Sequence, residues 1–142
     1  MKFLARKHHG KLEAIDEAGE EALRHIKGDV MVEVKQPRNI QHHRLYFALL
    51  GKVFTNQDHY KTLEELGAAL KVACGICQTF TLKNGQKVYI PGSISFAKMQ
   101  QPEFNEFYSN AIDVVCRHFL PGVESADLRN EILDVVGVAK PL

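Results

Sequence analysis

The side chains best suited to chemistry in this sequence are cationic, and they crowd into one stretch, "KQPRNIQHHR", residues 35–44. Lys35, Arg38, Asn39, His42 and Arg44 fall there with no acid to balance them. Arg38 and Asn39 are expected at a helix N-terminus, where unpaired N–H groups and the positive end of the dipole attract anions. Lys52 follows on the same helix, and Lys83, Lys87 and Lys98 would extend the track. Such a set suits the backbone of a nucleic acid, which is held by cations irrespective of base sequence. Tyr89 would offer a ring for base stacking, or equally a cross-strand core residue.

Other constellations are thinner. Cys74-Gly75-Ile76-Cys77 is a C-x-x-C, but it falls at the C-terminal end of a predicted helix, and redox chemistry needs the N-terminal end to lower the thiol pKa. Cys116 and His118 would complete a Cys₃His zinc set with Cys74 and Cys77, although small buried thiols are the preferred reading and no metal or other cofactor is expected. Glu33-Val34-Lys35 with Asp16 echoes the acid-plus-E-x-K arrangement of magnesium-dependent nucleases, a motif that solvated strands produce by chance. "PGSISF" lacks the G-x-S-x-G elbow, and no glycine-rich phosphate loop follows a strand. The sequence reads as non-catalytic.

Charge distribution supports the polyanion reading. Residues 1–33 carry a net −1, residues 34–102 a net +6 and residues 103–142 a net −4, which together give the overall +1. No acid lies between Val34 and Gln57, nor between Leu66 and Pro102. The alternative is that acids and bases meet in the fold and cancel. Apolar content of 45% and charged content of 25% are those of a globular chain, and 142 residues suffice for one core. Three cysteines, an odd number, favour reduced thiols, and no apolar run approaches a membrane span.

The elements that must position these residues follow from periodicity. Strands are expected near 2–7, 29–36 and 76–91, the last a hairpin turning at Asn84-Gly85 in a type I′ turn. Asp16 should cap a helix that Gly28 ends. Asn39 should cap a second, with His43, Tyr46, Phe47, Leu50 and Val53 on its apolar arc and Arg44, Ala48, Gly51 and Lys52 opposite. Thr62 with Glu65 forms a capping-box pattern, Pro102 opens a helix, and Ser125 caps a last one that Gly137 closes. The expectation is a single α+β domain over 1–137, a small antiparallel or mixed sheet covered by about four helices, with a flexible tail at 138–142.

Two blocks, "QPRNIQHHRLYFALLGKVF" and "GQKVYIPGSISFAKMQQPEFNEFYSNAIDVV", resemble a family of phage and prophage proteins classed as a domain of unknown function, over about two thirds of the chain. More remotely, Arg38-Asn39, His43-Arg44, Ala48 to Gly51, Ser93, Ser95, Met99 and Glu103-Phe104 are similar in layout to the NinB (Orf) recombination mediators of phages. The gap from Asn39 to His43 is shorter than in that family, and the tryptophan of its helix is absent, with Tyr46 or Phe47 near its place. That resemblance implies single-stranded DNA and the host single-strand-binding protein as partners, and a homodimer.

Together these readings point to a phage accessory protein of DNA recombination or replication, acting in the host cell cytoplasm and binding single-stranded DNA without sequence preference. About four phosphate contacts would give a salt slope near −3. A homodimer would pack through Ala48 and Gly51, whose small side chains permit close approach. A protein-binding role is the alternative: an inhibitor or adaptor docking on a host nuclease, defence complex or single-strand-binding protein through Asp127, Glu131 and Asp134 of the acidic last helix.

Overall fold

The computed structural model describes residues 2–36 and 40–137, so the cap expected at Asn39, the Arg38 side chain and the tail after Gly137 lie outside the described residues. The chain opens with an antiparallel hairpin, β1 (Ala5–His8) and β2 (Lys11–Ala14), in which His8 faces Lys11. His9 and Gly10 have φ of 51° and 76°. Positive φ at both central residues is the two-residue turn whose twist matches that of the strands. In α1 (Glu17–Arg24), Oδ1 of Asp16 accepts the Gly19 N–H at 3.0 Å, with Glu17 and Glu20 in the first turn to complement the dipole. Burial, opposed by that hydrogen bond, raises the Asp16 carboxyl above the usual range.

Residues 29–36 run on without pairing. No backbone hydrogen bond joins them to another described residue, and Val30, Val32 and Val34 are exposed. Alternation fixes which side chains share a face but supplies no neighbouring strand, so the expected half-buried strand is an open arm.

The central element is α2 (Ile40–Thr55), which packs against α1 and three later helices. These are α3 (Leu63–Ala73), α4 (Gln101–Val114) and α5 (Ser125–Val136). Tyr46, Leu49, Leu50 and Val53 of α2 meet Leu66 and Leu70 of α3, Phe104, Ala111 and Ile112 of α4, and Leu128 and Ile132 of α5 in one core. Each fully buried leucine there contributes roughly 1.5–3 kcal/mol over its exposed state. The Thr62 hydroxyl caps α3 by accepting the Glu65 N–H at 3.1 Å. The Glu65 carboxylate reaches back to the Lys61 N–H, one residue short of a full capping box. For α5 the cap position falls on Glu124, because the Ser125 hydroxyl donates to the Asp113 carboxylate instead. Gly137, at φ 73°, closes that helix as expected.

Between α3 and α4 stands a second hairpin, β3 (Cys77–Thr81) with β4 (Lys87–Pro91). Its turn is not type I′, because Gly85 has positive φ and Asn84 does not. The Leu82 carbonyl accepts the Gly85 N–H, and the Leu82 N–H donates to Gln86, giving a type I turn closed by a left-handed glycine. The Asn84 side chain accepts the Gln86 N–H, an Asx-type contact that favours this geometry.

The fold is α+β, with five α-helices and two separate two-stranded sheets among the described residues. It is not one sheet under helices, for the helices bury their apolar faces against each other and leave both hairpins at the surface. Among the described residues, no helix is long and apolar enough to cross a membrane.

Candidate nucleic-acid interface

Among the described residues, the cations read from the sequence do not converge at the start of α2. His42 is 5% exposed; its ring stacks on Phe104 at 3.9 Å between centroids, and Nε2 lies 3.2 Å from Oε1 of Gln101. A side chain held so cannot reach a phosphate, and the expectation for His42 is corrected: it is core. His43, expected in the apolar arc, sits half-buried with its edge toward Phe96, and burial first, then His42 and Lys2, lowers its pKa. Lys52 forms an ion pair with Glu131 of α5 at 2.7 Å. Lys35 lies exposed on the open arm, 3.3 Å from Glu33.

Arg44 turns the other way, into a cleft of about 460 Å³ between the first hairpin and the end of α5. Arg6, His8, Glu13 and Asp16 share that cleft, and Nε of Arg44 is buried without a hydrogen-bond partner. Two carboxylates among these cations make the cleft a poor phosphate site.

The dimer face is likewise used up within the chain. Ala48 and Gly51 are buried, and a Cβ on Gly51 would come within 2.9 Å of the Ala18 backbone nitrogen. The close approach that small residues permit is made by α1, so the expected contact with a second subunit at Ala48 and Gly51 is corrected. In α5, Asp127 and Asp134 face solvent while Glu131 is engaged by Lys52. Cys74, Cys77 and Cys116 are free, half-buried thiols, and burial raises the pKa of Cys74. Among the described residues no three His, Cys, Asp or Glu side chains gather as metal ligands, His118 included. Asp16 is committed to its cap, and Glu33 pairs with Lys35 on the arm.

What the fold does assemble is a groove of about 710 Å³ beside the β3–β4 ribbon. Tyr60, Tyr89, Phe119, His59 and His118 supply its rings, Ala68, Ala69 and Ala73 of α3 form part of its wall, and no carboxylate lines it. Each part has a local cause. Gln57 folds the loop after α2 by accepting the Tyr60 N–H at 2.7 Å and donating to the carbonyls of Phe54 and Tyr60, which fixes Tyr60. Past α4 the helix widens into a π turn, Val115–Phe119, which presents His118 and Phe119. The Ile76 N–H donates to Lys71 and the Gly92 N–H to Ile76, which anchors the ribbon base to the end of α3.

The ribbon itself stands clear of the core, with every residue from Gln78 to Pro91 exposed. Lys87 shares the Tyr89 face, two residues away, with Thr79 and Thr81 opposite them. Lys83 stands at the exposed turn, and Lys98 is exposed in the short 3₁₀ turn Phe96–Lys98 that follows the ribbon. From Leu66 to Pro102 the chain has no acid, so these lysines have no local carboxylate. Of the expected phosphate contacts, Lys87 on the ribbon and Lys98 after it are exposed. Sequence reasoning singled out Tyr89 but missed the groove, because Tyr60, Ala69, Tyr89 and Phe119 meet only through tertiary packing.

Residues 52–132 match the family described as protein of unknown function (DUF1367), and the chain belongs to that family. The matched span contains the ribbon and the whole groove; the arm at 29–36 and the first turns of α2 lie before it. No curated protein and no solved structure matches the chain.

Proposed function

We propose that this protein binds single-stranded DNA without sequence preference and without catalysis, as an accessory factor of phage recombination or replication in the host cytoplasm. One observation carries the reading: a carboxylate-free groove walled by aromatic rings, opening beside an acid-free ribbon whose Tyr89 is 51% exposed. Proteins that hold single strands pair stacking rings with cations along the backbone, and each stacked base is worth about 1–3 kcal/mol. Tyr89 and Tyr60 would stack bases, while Lys87, Lys83 and Lys98 would hold phosphates. A duplex keeps its bases inside, so a recessed aromatic groove favours an unpaired strand. The NinB-like layout and the phage resemblance agree with this role.

The test is fluorescence anisotropy with single- and double-stranded oligonucleotides of one length. Tighter binding to the single strand is expected, with Tyr89→Ala weakening it by about 5- to 150-fold, the factor that 1–3 kcal/mol gives. Equal affinity of Tyr89→Ala and the parent, or no binding at low salt, would overturn the reading.

The adaptor role through α5 keeps one point in its favour, since Asp127 and Asp134 face solvent. In that case Asp127→Lys with Asp134→Lys would abolish capture of a host single-strand-binding protein and leave oligonucleotide binding intact.

A further inference from the structure

We infer that a second copy of this chain completes the β3–β4 ribbon, each copy adding its residues 29–36 as a third strand to the other's ribbon edge. The ribbon is a two-stranded sheet, so β3 and β4 each leave one edge unpaired among the described residues. On the face away from Tyr89 it also exposes Phe80, Val88 and Ile90, at 48%, 36% and 46%. Two strands alone are marginal in water, and a third with matching apolar residues is the usual remedy. Open edges and exposed apolar faces of this kind recruit another strand.

The same chain carries that strand unused. Residues 29–36 belong to no helix or strand, have no backbone hydrogen bond to a described residue, and are exposed throughout, with Val30, Val32 and Val34 at every second position. Parity and charge agree. When the arm lies along the ribbon edge with its three valines continuing the Phe80 face, Asp29, Met31, Glu33 and Lys35 fall on the opposite face, a net −1 on the face of Lys87. The acid-free ribbon thus gains carboxylates beside its lysine, and apolar meets apolar. Because each copy offers one arm and receives one on a ribbon edge, a two-fold exchange pairs both arms at once and closes the assembly. The arm would run along the edge and leave the Tyr89 groove open, but its carboxylates would share the face of Lys87, so the dimer is tested without nucleic acid.

Sedimentation velocity on the full chain, without nucleic acid, tests it across a range of concentrations. A concentration-dependent dimer is expected. Val32→Pro removes a donor the monomer does not use and should give a monomer with an unchanged circular-dichroism spectrum. Val88→Lys should raise the dimer dissociation constant about tenfold or more. Hydrogen exchange on the unmodified protein gives a second readout, with alternate amides in 30–35 protected in the dimer and unprotected on dilution. A chain that stays monomeric at every concentration, or a dimer that survives Val32→Pro, would overturn the inference.

Discussion

Lys52 on α2 and Glu131 on α5 meet at 2.7 Å, joining the cationic middle of the chain to its acidic end. Both side chains remain partly exposed, so solvent screens the pair and its worth is about 0–1 kcal/mol. Lys52→Ala should therefore lower the unfolding midpoint only slightly. Its affinity for single-stranded oligonucleotide should stay within about twofold of the parent, since a lysine engaged by a carboxylate adds little to phosphate binding. A large loss would return Lys52 to the binding surface.

Gly51→Ala should destabilise the fold. The added Cβ would meet the Ala18 backbone nitrogen at 2.9 Å and Cβ of Glu17 at 3.1 Å. Backbone cannot swing aside as a long side chain can, so about 1–3 kcal/mol is expected, as for other overpacked contacts. Urea denaturation measures it, and the oligomeric state should not change.

His42 separates packing from binding. His42→Ala removes a ring stacked on Phe104 and should cost about 2–4 kcal/mol, in the range of other large-to-small core changes. His42→Phe keeps the stack and discards Nδ1, which is buried without a partner. It should therefore be clearly milder than the alanine change in the same melts, and neither substitution should alter oligonucleotide affinity in the folded protein.

Salt dependence reports how many lysines touch phosphate. If Lys83, Lys87 and Lys98 each make one contact, the slope of log affinity against log salt should be about −2 for a single strand. Lys87→Ala should make that slope shallower by about 0.7. The value near −3 expected from the sequence counted His42 and Lys52, which the fold withdraws.

Burial lowers the pKa of His43 below its ordinary 6.5, so the folded state favours the neutral ring. The unfolded chain takes up the proton first as pH falls. The stabilising contribution is therefore complete above 6.5 and is lost as pH drops through the lowered folded value. Urea midpoints from neutral to mildly acidic pH should fall less steeply for His43→Gln than for the parent.

Local signals were legible wherever the cause was local. Asp16, Thr62 and Gly137 cap their helices because caps need only neighbours within one turn. The two hairpins follow from turn residues and alternation, although the type I′ turn fell at His9-Gly10 and not at Asn84-Gly85. Helix faces were harder to read, since α2 is packed on several sides. A wheel drawn for one buried face set Ala48 and Gly51 outside and gave His42 to solvent.

The sequence by itself determined which segments become helices or hairpins and where charge concentrates. Only the tertiary structure decided that Lys52 is matched by Glu131, that α1 occupies the small-residue step, and that rings from three separate segments face one groove. The reason is range. Capping and alternation act between residues a few positions apart, whereas burial and ion pairing depend on which elements pack together, and one chain's pattern of faces is compatible with several packings.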